Sequence, residues 1–280
     1  MVWQLRDHRL LLGPRPLVLA ILNVTPDSFS DGGRFRDPAV AVDHGLRLVA
    51  EGADLLDVGG ESTRPGATPV PLDEELRRVI PVVRELANRT PIPISVDTMK
   101  AEVARQALDS GAAVVNDVTG LRGDPAMTGV CAAARAGVIV MHMQGDPRTM
   151  QLDPRYDDVV KTVGDFFAER VETLAARGVA AESVCLDPGI GFGKRTAHNL
   201  TLLARLGEFQ RFGRPVCLGV SRKRFYGDVC GRDTDDRLAG SLAVASFATA
   251  TGAAQVLRVH DVPPHRDMAL LWEAVRAAAP

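Results

Sequence analysis

Leu17-Val18-Leu19-Ala20-Ile21-Leu22 is an unbroken apolar run that stops abruptly at Asn23-Val24-Thr25-Pro26-Asp27-Ser28-Phe29-Ser30-Asp31-Gly32-Gly33. The first part reads as a strand buried on both faces, because its apolar residues are continuous rather than alternating. The second is turn chemistry: Asn, Asp and Ser bond their own backbone, Pro fixes φ, and Gly permits φ > 0. A plain connection needs fewer residues. This one carries two carboxylates, three hydroxyls and an aromatic. Polar loops of that kind on a rigid strand end are where binding and catalytic groups concentrate.

The same unit recurs outward along the chain. Asp37 caps a helix with Pro38 at its first position; Val42, Leu46, Val49 and Ala50 form its apolar stripe, and Gly52 ends it. Leu55-Leu56-Asp57-Val58 then runs into Gly59-Gly60-Glu61-Ser62-Thr63-Arg64-Pro65-Gly66, and a helix is expected over 73–87, with Pro81 kinking it or starting a new one. Further apolar runs end at Asp97, Asn116, His142, Asp187, Ser221 and His260. Helix patterns are expected over 100–111, 127–136, 156–177 and 265–278. Eight strands, each followed by a helix pattern, predict an α/β fold, a closed (β/α)₈ TIM barrel in one domain over 1–280. A doubly wound open sheet is the alternative, because strand count does not prove closure. Residues 1–13 read as a short β-hairpin, suited to plug the barrel floor.

Composition narrows the function. Lys and Arg number 33 against 35 Asp and Glu, so the formal net charge of -2 excludes a general nucleic-acid binder. Cys131, Cys185, Cys217 and Cys230 form no CxxC or zinc pattern, which points to a reducing compartment, the cytoplasm. Met1-Val2-Trp3-Gln4 does not read as a signal-peptide start, and no apolar run approaches membrane-spanning length.

Nearly every strand carries a polar group at its C-terminal end: Asn23, Thr63, Arg64, Asp97, Asn116, His142, Asp187, Lys223, Arg258 and His260. In a barrel those ends share one mouth, where the active site lies. Asp97, Asn116 and Asp187 suit the N–H edge of a flat heterocycle. Lys223, Arg258 and His260 suit an anion, above all phosphate. Asn23 with loop carboxylates suits a hard cation such as Mg²⁺. Two glycine patterns are decoys: Gly189-Ile190-Gly191-Phe192-Gly193 lacks GxGxxG spacing, and Gly193-Lys194-Arg195 fails the P-loop pattern. Met141-His142-Met143 reads as strand-end core rather than as soft-metal ligands.

The stretch from Asn23 to Gly33 resembles the first signature of the dihydropteroate synthase family, and Gly59 to Gly66 resembles the second. Asp187-Pro188-Gly189-Ile190-Gly191-Phe192-Gly193-Lys194, Ser221-Arg222-Lys223 and Arg258-Val259-His260 match three further family motifs in order. The resemblance implies a (β/α)₈ barrel and a transferase of folate biosynthesis. It would condense 6-hydroxymethyl-7,8-dihydropterin diphosphate with 4-aminobenzoate, giving 7,8-dihydropteroate and diphosphate. It further implies a pterin site of Asp97, Asn116, Met141, Asp187, Phe192, Gly219 and Lys223. Asn23, Thr63, Arg258 and His260 would hold the diphosphate, with Asn23 the Mg²⁺ ligand. Phe29, Ser62, Thr63, Pro65 and Ser221 would contact aminobenzoate, and Asp31 and Arg64 are candidates for an ion pair that locks the two loops closed. A homodimer and competition by sulfonamides are also implied. One departure stands out: Arg224 occupies a place where several members carry a small hydroxyl residue, so the aminobenzoate carboxylate would rest on Ser221 and a helix N-terminus, with Arg224 turned to solvent as the alternative. The competing functions are a non-catalytic pterin-binding paralogue and a corrinoid-linked methyltetrahydrofolate methyltransferase. The latter needs no diphosphate site and lacks both loop signatures.

Overall fold

A computed structural model describes residues 1–25, 38–63 and 66–278. The chain opens with β1 (Val2–Leu5) and β2 (His8–Leu11), an antiparallel pair in which Val2 faces Leu11 and Leu5 faces His8. Eight parallel strands follow: β3 (Leu17–Asn23), β4 (Leu55–Gly59), β5 (Ile94–Asp97), β6 (Val114–Asp117), β7 (Gly137–Met141), β8 (Val184–Asp187), β9 (Cys217–Leu218) and β10 (Val256–Val259). Their order in the sheet is β8-β7-β6-β5-β4-β3-β10-β9. A parallel bridge between Leu186 and Val216 and a 2.8 Å bond from Leu186 N–H to Pro215 O join the two outer strands. The sheet is therefore a closed barrel, and the open-sheet alternative falls. The strand expected over 216–220 is shorter than its apolar run, because the chain leaves the ladder at Gly219 to enter the mouth.

Side chains alternate across the barrel wall, as the two-residue period of a strand requires. Val18, Ala20, Leu22, Leu56, Val58, Val96, Val115, Val138, Val140 and Leu257 pack outward against the helices in one continuous core. Leu17, Leu19, Leu55, Val114, Ile139, Cys185, Cys217 and Val256 point inward and form a second core with Trp3 and Leu5 of the hairpin. The hairpin thus plugs the barrel floor. Trp3 is completely buried, and its indole N–H donates to Ser183 O at 2.9 Å.

The helices are α1 (Pro38–Ala50), α2 (Leu72–Arg89), α3 (Ala101–Asp109), α4 (Met127–Ala134), α5 (Val159–Ala176), α6 (Thr196–Ala204), α7 (Phe225–Cys230), α8 (Leu238–Ala250) and α9 (Val262–Ala277). Their ends follow local chemistry. The Asp158 carboxylate takes Val160 N–H and Lys161 N–H at 2.9 and 3.0 Å, so α5 starts at Val159. Asp37, expected to cap α1, lies outside the described residues, but Pro38 is its first residue. Of the two outcomes expected at Pro81, a new start does not occur: α2 runs through it as one helix. Pro81 is exposed, so the carbonyl its ring deprives of a donor lies on the solvent side, where water can serve it.

Candidate active site

Parity along each strand decides what reaches the lumen. Inward positions are apolar at the floor and polar one or two steps higher: Leu55 then Asp57, Val114 then Asn116, Cys185 then Asp187, Val256 then Arg258. Gly59 pairs with Asp97, and Asp97 with Asn116, so three neighbouring strands deliver their ends at one level.

These groups form one connected array. Arg258 Nε donates to Asp57 Oδ2 at 2.6 Å, and Nη2 donates to Asp97 Oδ2 at 2.7 Å. Asn116 Nδ2 donates to the same Asp57 oxygen at 2.9 Å. Two of the five guanidinium N–H donors are thereby engaged, leaving the rest of the fork for an anion at the mouth. Burial pushes the Asp97 carboxyl up to about 7; Arg258 pulls it down, while Asp57, Asp117 and Glu75 push it up.

The opposite wall is built by the turn after β8. Asp187 accepts Gly189 N–H at 2.7 Å, and burial raises its carboxyl while that bond and the nearby Lys223, Arg258 and Lys194 lower it. Gly189 has φ +66°, and a Cβ there would lie 1.9 Å from His142 O, so only glycine lets the turn approach β7 so closely. Gly191 N–H is held by Asn199 Oδ1 at 2.8 Å, and Gly193 O by the Tyr156 hydroxyl at 2.8 Å. Phe192, so placed, lies under Lys223 Nζ at 4.4 Å from the ring centroid. Phe192 also packs with Met99, Met141, Met143, Met150 and Val118 into a small apolar cluster. Thioether side chains adapt to the face of a flat ring. Met141 is buried there, as a strand-end core residue.

Lys223 and Ser221 flank Arg222, which has φ +58° and is pinned by Asp261 at 3.0 Å from its Nε. His260 Nδ1 lies 3.0 Å from Ser221 Oγ, so the loops after β9 and β10 meet. Arg224 takes the solvent alternative: its side chain is 89 % exposed and reaches towards Asp228 at 3.8 Å. The helix it precedes, α7, spans six residues, and no anion cradle is read from it.

On the β3–β4 side, Asn23 ends its strand opposite Gly59, and Val24 N–H donates to Gly59 O at 2.7 Å. Ser62 and Thr63 follow Glu61, which is gripped by Lys100 Nζ. That ammonium also reaches Glu75 Oε2 at 2.5 Å, and Glu75 takes the Thr98 hydroxyl at 2.6 Å. The stem of the second loop is thus anchored to α2 and β5. Phe29, Asp31, Arg64 and Pro65 lie outside the described residues.

Three corrections concern residue choice. His142 reaches the mouth but turns away from it. Its Nδ1 lies 3.0 Å from Lys194 Nζ, and its ring meets Phe166 edge-on at 5.1 Å. Burial, with Lys194 and Arg122 close by, pushes it down to about 2, so it is neutral. Conversely, sequence reasoning misses Asp57 as part of a strand, although it is fully buried at the centre of the polar array. The available signal is a carboxylate sharing inward parity with Leu55 inside an apolar run. Lys194 is missed too: in the sequence it closes a family motif and fails as a P-loop lysine, and neither pattern gives it a role.

Comparisons with known proteins give the family of the chain. The family described as pterin binding enzyme matches residues 19–260. The dihydropteroate synthase of Escherichia coli (strain K12) is 47% identical over 265 residues, 94% of this chain and 93% of that protein. The Xanthomonas albilineans dihydropteroate synthase solved with 4-aminobenzoic acid superposes with a TM-score of 0.93 at 48% identity, covering 100% of this chain and 99% of that one. The Yersinia pestis dihydropteroate synthase solved as a sulfonamide drug complex gives a TM-score of 0.93 at 44% identity, over 99% of this chain and 100% of that one. With the barrel closed, its mouth polar and these likenesses spanning nearly its whole length, the chain belongs to the dihydropteroate synthase family of pterin-binding enzymes.

Proposed function

We propose that this chain condenses 6-hydroxymethyl-7,8-dihydropterin diphosphate with 4-aminobenzoate, releasing diphosphate and 7,8-dihydropteroate. The observation that carries the reading is the Asp57–Arg258–Asp97 array facing the Asp187–Phe192–Lys223 wall across one lumen. Asp97, Asn116 and Asp187 offer acceptors and an amide to the N–H edge of the pterin, with Met141 and Phe192 against its faces, Gly219 leaving space and Lys223 above the ring. Arg258, His260, Thr63 and Asn23 would line the side where diphosphate leaves. Ser221, Ser62 and Thr63, with Phe29 and Pro65 from the two loops, would receive aminobenzoate. Asp31 and Arg64 would close those loops over it.

Charge accounts for the direction of reaction. As the C–O bond to diphosphate breaks, negative charge grows on the leaving group and is met by Arg258 and His260. The positive charge left on the pterin methylene is delocalised into the ring, beside the carboxylate of Asp97. The aromatic amine, largely unprotonated near neutrality, then attacks, and the proton its nitrogen sheds as the C–N bond forms passes to the departing diphosphate, so no strong base is needed. Water must be kept out, because it would trap the cation.

For Mg²⁺ the donor chemistry fits. Asn23 offers a hard amide oxygen at the mouth. Among the described residues no three His, Cys, Asp or Glu groups form a metal cluster. Mg²⁺ characteristically uses one or two protein oxygens and takes the rest of its shell from phosphate and water. When bound there with diphosphate, it would supply charge to the leaving group.

A homodimer through α8 and α9 fits the apolar side chains these helices leave exposed, among them Phe247, Leu271 and Val275. The four cysteines are free, which fits a cytoplasmic setting. No helix among the described residues is long and apolar enough to cross a membrane.

The deciding experiment is diphosphate release measured with each component omitted in turn. Release that requires the pterin diphosphate, aminobenzoate and Mg²⁺ together supports the reading. Pterin binding without turnover would instead mark a non-catalytic paralogue. A sulfonamide should raise the apparent KM for aminobenzoate without changing kcat. Undiminished turnover at saturating sulfonamide and limiting aminobenzoate contradicts the aminobenzoate site.

A further inference from the structure

Lys194 has no role in the reading above, yet its position is costly. It is 3 % exposed, and none of its side-chain hydrogen bonds goes to a carboxylate. Nζ lies 2.9 Å from Phe192 O, 3.0 Å from Gly189 O, 3.2 Å from His142 O and 3.0 Å from His142 Nδ1. An ammonium has three donors and no acceptor, and here it is met on every side by acceptors. A plain packing role would be filled at less cost by an apolar side chain.

The carbonyls it holds belong to the segment that shapes the pocket wall. Gly189, held through its C=O, uses its N–H to orient Asp187 Oδ1. Phe192, held through its C=O, places the ring beneath Lys223. His142, held through both its C=O and its ring, directly follows β7, and the turn presses against it at Gly189. One charge therefore ties the β7 end to the turn over 189–193.

We propose that Lys194 is a positioning residue for the pterin pocket: its ammonium fastens the turn over 189–193 to the end of β7 and so holds Asp187, Phe192 and Lys223 in the geometry that receives the heterocycle. This rests on the pterin reading of the same site. Burial pushes Lys194 down to about 7, while Asp187 raises it and Lys223 lowers it. The titratable and charged groups facing this knot are neutral His142 just after β7, Asp187 from β8, Lys223 from the loop after β9, His198 from α6, Tyr156, whose hydroxyl holds Gly193 O, and Arg122, which acts through His142.

The test is Lys194→Met in the full chain, with the Kd of the pterin diphosphate measured by calorimetry without aminobenzoate. Near pH 6.5 the Kd should rise about tenfold, with the KM for aminobenzoate within about twofold. Near pH 8.5 the ratio of variant to parent Kd should shrink below about threefold, because the parent itself has then lost its ammonium. Taking the ratio removes titrations common to both proteins, Asp97 included. An unchanged Kd, or a ratio constant with pH alongside a lower Tm, overturns the proposal and leaves Lys194 as packing. If Lys194→Met does not fold, Lys194→Gln keeps two N–H donors without the charge. A Kd about threefold higher supports the proposal, and a Kd equal to the parent's overturns it. Failure of the parent to bind the pterin would overturn the functional reading with it, whereas tight binding by parent and variant alike overturns this inference alone.

Discussion

At the scale of single residues, Asp97 is where opposing influences meet. Arg258 lies 2.7 Å away and favours its charge, yet burial dominates and pushes the carboxyl up to about 7. Its ionised form is the one that opposes the growing cation. At saturating pterin, where the loss of the Lys194 ammonium with rising pH no longer affects binding, kcat should therefore rise with pH through about 7, and that acidic limb should vanish in Asp97→Asn, with kcat lower by roughly 10². An effect below about threefold would remove Asp97 from the reacting centre. The stability sign runs the other way. The folded chain holds this proton more tightly than the unfolded one, so the group's contribution to stability falls as pH rises from about 4 to about 7. Asp97→Asn should accordingly melt no lower than the parent near pH 8, by calorimetric scan. Asp57 behaves differently, because it carries bonds from both Arg258 and Asn116. Asp57→Ala strips Arg258 of one of its two counter-charges and should cost about 3 kcal/mol in urea unfolding. Asp97 was legible in the sequence because it ends its apolar run; Asp57 was not, because it lies inside one.

At the scale of elements, the turn after β8 shows what a motif conceals. Its glycines resemble a nucleotide loop, whereas their spacing serves close approach of one backbone to another. Gly189→Ala would place a Cβ 1.9 Å from His142 O at φ +66°. We expect pterin binding to weaken by about tenfold or more, with a loss of stability exceeding about 1 kcal/mol, since backbone must move at both ends of the contact. Direct pterin titration and a denaturant melt check the two effects separately; a variant indistinguishable from the parent in both would show that the turn can shift freely. The strands and the helices α1 to α5 and α9 were legible from periodicity, whereas α6, α7 and α8 had no expected range. That α2 does not restart at Pro81 was not legible, because it depends on Pro81 lying on the solvent side.

At the scale of the whole molecule, the barrel separates its two ends. The floor is closed by Trp3 and Leu5 against inward residues of seven strands, and the mouth is polar. Trp3→Ala should cost about 3–5 kcal/mol of unfolding free energy, while both substrates' KM stay within about twofold at temperatures where the variant is folded. A large KM change without a melting shift would deny that separation of stability from function, which barrels of this kind display.

Read by itself, the chain determined the repeated strand–helix units, the hairpin, the polar strand ends and the family signatures, because each is encoded within a few neighbouring residues. Closure of the sheet, the partnership of Asp57 with Arg258, the turning away of His142 and the knot around Lys194 were decided only in three dimensions. Each depends on groups separated by tens to hundreds of residues, as Arg258 and Asp57 are by 201. No local pattern records such a meeting, because which buried charges face each other follows from strand tilt and parity around a closed barrel.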